Sequence, residues 1–210
     1  MFVNKIGRQH MLEGMNCQDF GMVCEGRKLV CDGCSEGAHT EVGAKAFVHL
    51  IGKGYGVREA FGKLVEVFGQ SAGDVQDFLC FTILLAEEEA EGVRVSYCGD
   101  GYVILEDLEG RVTFQELSDG EYPKYFAYNY VGRESLSRYQ EGVEMESWYF
   151  PKVQYRRVGV ATDGLRFLFG MEEEVQREFE AAFHADREVK VKRLVNKYQA
   201  VFRDDVTIAW

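Results

Sequence analysis

The chain has 210 residues, of which 46% are hydrophobic and 13% aromatic, a composition typical of folded globular proteins rather than disordered ones. Its 35 acidic residues outnumber its 24 basic residues, and the resulting net charge of −11 disfavours general binding to nucleic-acid backbones. No apolar run approaches the roughly 20 residues needed to cross a bilayer. We therefore expect a cytoplasmic protein that binds neither nucleic acid nor membrane.

The chain carries only two prolines, Pro123 and Pro151, and no linker rich in serine, glycine and proline. A single domain over residues 1–210, acting as a monomer, is therefore expected. Six cysteines lie at positions 17, 24, 31, 34, 80 and 98, and we expect reduced thiols because a chain of this size needs no disulfides. The spacing Cys31-x-x-Cys34 also occurs in zinc and redox sites, but no second pair follows at zinc spacing.

The first third of the chain predicts a β-hairpin followed by two helices. Strands are expected at about 19–24 and 28–32, joined by the turn Glu25-Gly26-Arg27. Apolar residues at helical spacing then predict helices over Thr40–Ile51 and about 56–70.

The middle of the chain is rich in predicted strands. Phe78–Ala86 is a continuous apolar run, as in a strand buried on both faces. Shorter strands are expected at Val93–Cys98, Tyr102–Leu108 and Arg111–Leu117. The stretch Ser118–Gly142 has no clear period and predicts a long loop, and loops of that length in a compact domain are usually functional.

The last third predicts strands at about 143–150 and 156–162, then helices over Glu172–Phe183 and Val189–Phe202, and a closing strand Asp205–Trp210. Paired helices between runs of antiparallel strands are typical of an α+β domain. We expect two stacked sheets covered by helix pairs.

Four aspartate motifs lie at or near the ends of predicted strands. They are Gln18-Asp19, Cys31-Asp32-Gly33, Thr162-Asp163-Gly164 and Asp204-Asp205-Val206-Thr207. An acid at the end of a strand lies at the rim of a sheet, and several such carboxylates together are unstable unless hard cations neutralise them. The motifs therefore predict a metal site, and two divalent ions about 4 Å apart are the usual apparatus for phosphoester hydrolysis.

The order of the motifs resembles that of the protein phosphatase 2C family of metal-dependent Ser/Thr phosphatases. The resemblance is carried by Asn16–Asp19, Val30–Gly33, Cys98–Gly101, Ala161–Gly164 and Asp204–Thr207, and it spans nearly the whole chain. The segments Asp32–His39 and Glu41–Lys45 are closest to a compact bacterial branch of that family. The family fold is a four-layer α-β-β-α sandwich of two mostly antiparallel sheets, in agreement with the element order above.

The resemblance also implies roles for individual residues, with two Mn²⁺ or Mg²⁺ ions as cofactors. The implied metal ligands are Asp19, Asp32, Gly33, Asp100, Asp163 and Asp204. Asp32 would bridge both ions and Asp100 would hold a third, weaker ion, with Asp32 and Asp163 as the catalytic acids. Gly99-Asp100-Gly101 also fits a plain hairpin turn, so both interpretations of Asp100 stay open.

The chain departs from the family pattern at the place where many members carry an arginine that grips the substrate phosphate. Gly14-Met15 stands there, and Arg8 or His10 are the candidate replacements, although both also fit plain surface positions. Cys34 stands where some members have a histidine proposed as general acid, and the loop Ser118–Gly142, which falls where the family has its substrate-side flap, is shaped differently.

The resulting hypothesis is a phosphatase that acts on phosphoserine and phosphothreonine in a phosphoprotein substrate, by attack of a metal-bridging water or hydroxide. The missing arginine and the atypical flap leave an alternative open, a catalytically weak module that binds a phosphoprotein or partner without turnover. A hydrolase of phosphorylated small molecules on the same fold is a third alternative.

Overall fold

In the computed structural model, which describes residues 1–118, 120, 124–132 and 138–210, ten strands form two antiparallel sheets of five strands each. The first sheet has the order β1 (Phe2–Lys5), β10 (Val206–Ala209), β9 (Tyr155–Ala161), β6 (Gly101–Asp107), β7 (Val112–Leu117). The second has the order β2 (Phe20–Cys24), β3 (Arg27–Cys31), β4 (Ile83–Glu88), β5 (Gly92–Cys98), β8 (Glu146–Pro151).

The helices fall into an early and a late group along the chain. The α-helices are α1 (Arg8–Glu13), α2 (Thr40–Gly52), α3 (Val57–Phe68), α4 (Ala72–Asp74), α5 (Glu173–His184) and α6 (Glu188–Lys197). A π-helical turn, Val75–Leu79, follows α4, and 3₁₀ helices are formed by Phe126–Tyr130 and Asp163–Gly170.

Three apolar clusters separate four layers of structure. One lies between α2, α3 and the second sheet, and it contains Phe47 and Phe61. Another lies between the two sheets around Leu84 and Val160, and the last, with Phe179, lies between the first sheet and α5 and α6. The predicted α+β fold, a four-layer α-β-β-α sandwich, is confirmed.

The apolar run in strand β4 is continuous because the strand is covered on both faces. Ile83 and Leu85 face the helix-side cluster, whereas Leu84 and Ala86 face the other sheet. Because successive side chains in a strand point to opposite faces, a strand covered on both faces needs apolar residues at every position.

Some predicted boundaries are wrong. The strand predicted for Phe78–Ala86 begins only at Ile83, because Val75–Leu79 forms a helical turn whose apolar side chains pack in the same cluster. A short apolar run does not distinguish the two structures by its period. The helix predicted for Val189–Phe202 ends at Lys197, and the short elements β1 and α1 had no prediction.

The predicted loop Ser118–Gly142 lies partly outside the described residues, and its described part includes the 3₁₀ helix Phe126–Tyr130. All six cysteines are free thiols. Among the described helices, none combines the length and the apolar character needed to cross a membrane.

Candidate metal centre

The hairpin β2–β3 places two of the predicted acids side by side. Phe20 pairs with Cys31 in the antiparallel register, so Asp19 and Asp32 lie next to each other just beyond that pair. The Asp32 main chain is fixed by Thr82, whose Oγ1 accepts from the Asp32 amide at 3.0 Å and whose amide donates to the Asp32 carbonyl at 2.8 Å. The two carboxyl groups are close enough that each affects the pKa of the other.

The first sheet ends at the same edge with further acids. Strand β9 ends at Ala161, which pairs with Ile208 on β10 and with Tyr102 on β6. Asp163 comes two residues after Ala161 and Asp100 comes two residues before Tyr102, both at that edge. In an antiparallel sheet the end of one strand lies beside the start of its neighbour. Acids from distant parts of the chain therefore converge at this edge.

Thr162 connects the two sheets through its hydroxyl group. Its Oγ1 donates to Asp19 Oδ2 at 2.6 Å and accepts from the Thr207 amide at 2.9 Å, both in buried positions. Asn4 on β1 extends this network, since its amide donates to Thr207 Oγ1 at 2.7 Å and to the Asp19 carbonyl at 3.0 Å. The orientation of Asp19 is therefore set by both sheets.

The fully buried Asp205 joins three segments at the site. Its carboxylate accepts from the Gly7 amide at 2.7 Å and from the Gln18 amide at 2.6 Å. His10 Nδ1 lies 3.0 Å from Asp205 Oδ2, at an angle poor for a hydrogen bond. Gly7 is required here, because a side chain would overlap the backbone of Asp204.

Burial and mutual repulsion make the acids of this cluster costly to ionise. Burial is the main cause that raises the pKa of Asp19 to about 8 and the pKa of Asp163 to about 6, from an ordinary value of 3.8. The pKa of Asp32 is raised well above that value, first by burial and then by the charges of Asp19 and Asp163. Without added cations, these groups are expected to hold protons to a higher pH than ordinary aspartates do.

Two carboxylate oxygens in the cluster are buried without a hydrogen-bond partner, Asp19 Oδ1 and Asp163 Oδ1. Such atoms in a native fold call for an explanation, and an ion is one. Carboxylate and carbonyl oxygens are the ligands that Mg²⁺ and Mn²⁺ prefer. The donor set therefore fits hard divalent cations.

Arg166 provides the positive charge at the site in this structure. Its Nη1 lies 2.7 Å from Asp163 Oδ2, and its Nη2 lies 3.4 Å from Asp204 Oδ2. In the part of the chain that the structure describes, no three acid, histidine or cysteine side chains converge with the geometry of a ready metal site. Asp163 and Asp204 are instead paired with the guanidinium group.

The remaining predicted residues surround this cluster. Gly33 follows Asp32 directly, and a Cβ at this position would lie 2.5 Å from Thr40 Oγ1, so only glycine fits. Asp100 is exposed, but its charge contributes to the raised pKa of Asp163. Arg8 is exposed on α1, whereas His10 is buried, with Nε2 4.0 Å from Asp204 Oδ1.

The structure thus brings Asp19, Asp32 and Asp163 together, with Asp204 beside them and Asp100 at the margin. Sequence reasoning gave no role to Thr162, Asp205 or Arg166. Thr162 and Asp205 do belong to the aspartate motifs, but Arg166 lies three residues beyond Asp163 and follows no pattern. The ligand roles of the acids stay predictions.

No family model and no curated protein matches the sequence. The fold resembles that of the serine/threonine phosphatase PstP/Ppp from Mycobacterium tuberculosis, with 15% identity and a TM-score of 0.62, over 100% of this chain and 95% of that chain. The phosphatase Stp1 from Staphylococcus aureus is similar at 13% identity and a TM-score of 0.63, over 100% and 93% of the two chains. RsbX in complex with magnesium is similar at 13% identity and a TM-score of 0.57, over 99% and 91%.

These structures share one architecture with this chain over almost its whole length. The fold is that of the bacterial phosphatases of the protein phosphatase 2C type. The expected resemblance to this family is therefore confirmed in the structure, at low sequence identity.

Proposed function

We propose that the chain is a Mn²⁺- or Mg²⁺-dependent phosphatase that hydrolyses phosphoserine and phosphothreonine monoesters in proteins. The observation that carries the proposal is the cluster of Asp19, Asp32 and Asp163, with raised pKa values and two buried oxygens that lack partners. The fold adds support, because one of the similar structures is the catalytic domain of PstP in complex with two manganese ions.

In this proposal, Asp32 would be a ligand of both cations and the Gly33 carbonyl would be a ligand of the second. Asp163 and Asp204 would complete the shell of one cation, and Asp19 would serve the other. Bound divalent ions would acidify a water molecule and neutralise charge on the phosphoryl oxygens.

The residues around these ligands hold them in place. Thr162 fixes one oxygen of Asp19 by a short hydrogen bond, so that the other oxygen stays available to a cation. Asp205 ties the segments that carry Gly7 and Gln18 to the segment of Asp204. Supporting hydrogen bonds of this kind typically change metal affinity or activity by about 10- to 100-fold.

The phosphate of the substrate needs a positively charged partner. Arg8 is exposed and can present its guanidinium group to a phosphate in two parallel hydrogen bonds. The buried position of His10 against Asp205 favours support of that acid over contact with phosphate. We therefore assign phosphate binding to Arg8 first.

The test is hydrolysis of p-nitrophenyl phosphate and of phosphoserine peptides with added Mn²⁺, with and without EDTA. Activity should disappear in EDTA and fall by at least about 100-fold in Asp32→Asn and Asp163→Asn, the upper limit for residues that only support a metal ligand. Asp186→Asn is the matched control, because Asp186 is exposed and its positive φ of 49° suits asparagine equally well. Full activity in EDTA would disprove the proposal.

The second candidate function is binding of a phosphoprotein without turnover. It is favoured by Arg166, which already neutralises Asp163 and Asp204. Isothermal titration calorimetry separates the two: metal and phosphopeptide binding without hydrolysis supports the binding module, and robust turnover excludes it. Activity confined to phosphorylated small molecules would favour the third alternative, a small-molecule hydrolase.

A further inference from the structure

A groove with a volume of about 710 Å³ lies beside the candidate metal centre, between α1, the 3₁₀ helix Asp163–Gly170 and the segment 200–203. It is named here the arginine groove and is defined by Arg8, Leu12, Arg166, Phe167, Val201 and Arg203. Its volume is in the range of sites that hold ligands.

The wall of the groove is held by backbone contacts. The amide of Arg8 donates to the Phe202 carbonyl at 2.9 Å, and the amide of Gln9 donates to the Arg203 carbonyl at 2.9 Å. Gly7 packs so closely on Asp204 that it has no room for a side chain. Helix α1 is therefore fixed on the segment that also carries a predicted metal ligand.

The arginine groove is basic, although the protein as a whole is acidic. Three arginines and one glutamate, Glu13, line it, and because Arg166 is paired with Asp163 and Asp204, the other lining residues leave a formal charge of +1 (2 − 1) in a chain whose net charge is −11. Arg8 and Arg203 are exposed, and neither forms an ion pair with any acid among the residues described. Their charges are therefore available to an anionic ligand.

The same surface also exposes apolar side chains. Leu12 is 74% exposed and Val201 is 40% exposed, while Phe167 lies half-buried with the guanidinium carbon of Arg166 5.3 Å from its ring centre. A ligand that suits this surface has negative charges and at least one apolar group.

The groove is continuous with the metal centre through a single side chain. Arg166 lines the groove and also contacts Asp163 and Asp204. A substrate polypeptide whose phosphorylated residue lies at the acidic cluster would place the residues next to it in the groove.

We propose that the arginine groove binds an acidic segment of the phosphoprotein substrate next to the phosphorylated residue, with an apolar side chain of that segment on Leu12 and Val201. The inference rests on the proposed phosphatase function and adds a substrate class, phosphoproteins whose phosphorylated residue has acidic neighbours. Arg203 is a specificity-determining residue in this proposal.

The test uses three fluorescent peptides with one phosphoserine and one leucine, flanked by glutamates, glutamines or lysines. Fluorescence anisotropy in EDTA measures binding to the full chain without turnover. The glutamate peptide should bind about tenfold tighter than the glutamine peptide, and added salt should reduce the difference. Arg203→Gln should reduce it by about two- to fivefold, the usual size for an exposed charge pair. Leu12→Ser should weaken all three peptides alike.

Arg177→Gln is the matched control, since Arg177 is exposed on α5, pairs with Glu173 and lies outside the groove. Equal affinity for the three peptides, no measurable binding, or a glutamate preference that is undiminished in Arg203→Gln would each overturn the proposal. Binding to vesicles with anionic phospholipids, without a preference among the peptides, would overturn it in favour of a membrane surface.

Hydrolysis of p-nitrophenyl phosphate with Mn²⁺ separates this inference from the proposed function, because that substrate has no peptide segment to place in the groove. If p-nitrophenyl phosphate is hydrolysed but the three peptides bind equally, the proposed phosphatase function is supported and the proposal for the arginine groove is overturned. If the glutamate preference depends on Arg203 but the chain shows no turnover, the proposal for the arginine groove is supported and the proposed phosphatase function is overturned.

Discussion

Without divalent cations, the folded chain should lose stability as the pH rises from about 4 to about 8. Asp19 has a folded-state pKa of about 8 and Asp163 one of about 6, both above the ordinary value of 3.8. The folded chain therefore binds more protons than the unfolded chain in this window. Stabilisation by these protonated acids is complete below about pH 4 and is lost as the pH passes the folded-state pKa values.

The expected size follows from the shift of Asp163 alone. A shift of about two pKa units corresponds to about 3 kcal/mol of unfolding free energy, and Asp19 adds to it in the same direction. For a chain of this length, 3 kcal/mol lowers the melting temperature by about 6–12 °C. A loss of this size is a substantial part of the usual 5–15 kcal/mol total, taken as an order of magnitude.

Urea unfolding at fixed ionic strength, in EDTA, at pH values from about 5 to about 8 measures this loss. Added Mn²⁺ should restore stability most strongly at the high end, because a cation that binds only the folded chain stabilises it. Asp163→Asn should remove about 3 kcal/mol of the pH dependence. If the protein in EDTA were equally stable at pH 5 and pH 8, or if Mn²⁺ had no effect near pH 8, the argument that these acids need cations would be refuted.

Three substitutions test individual contacts. Thr162→Val leaves Asp19 Oδ2 and the buried Thr207 amide without hydrogen-bond partners. It should lower the unfolding free energy measured in urea by about 2–4 kcal/mol, and Thr162→Ser should restore part of the loss. An unchanged unfolding free energy would contradict the role of these hydrogen bonds. Arg166→Gln should lower the stability of the metal-free chain by up to about 1 kcal/mol, because one ion pair is lost. It should also tighten Mn²⁺ binding in calorimetry, because the guanidinium group no longer competes for the carboxylates. Weaker Mn²⁺ binding would contradict this competition. Arg157→Met leaves the fully buried Glu106 without its guanidinium partner and should cost about 3 kcal/mol in thermal unfolding, whereas a neutral effect would contradict a stabilising role of this ion pair.

The sequence predicted the layers of this fold because its strands obey simple periodic rules. In β4, Leu84 faces the cluster between the sheets while Ile83 and Leu85 face the helix-side cluster, and this makes Ile83–Ala86 continuously apolar. The aspartates were predictable for a related reason, since Asp19 and Asp32 flank strands that form one hairpin. Neighbouring acids at one sheet edge then follow from the antiparallel register.

Other features depend on long-range contacts that leave no local pattern. Strand β1 is only four residues long and is stabilised by its pairing with β10, more than 200 residues away along the chain. That pairing brings Gly7 and Arg8 to the site. The two acids of Asp204-Asp205 look alike in sequence, yet Asp205 is fully buried and Asp204 is half-buried, because only Asp205 meets the amides of Gly7 and Gln18.

Arg166 connects the metal centre with the question of what binds the phosphate. The resemblance to the phosphatase family implies that Gly14-Met15 fills the position of a phosphate-binding arginine, so in the proposed function the positive charge would come from elsewhere in the fold. Arg166 is committed to Asp163 and Asp204 as long as no cation neutralises these acids. A bound divalent cation would weaken both ion pairs, and the guanidinium group could then turn to an anion in the arginine groove. In the proposed function, metal binding and recognition of an acidic substrate are therefore coupled through one side chain, and each should strengthen the other by the same factor.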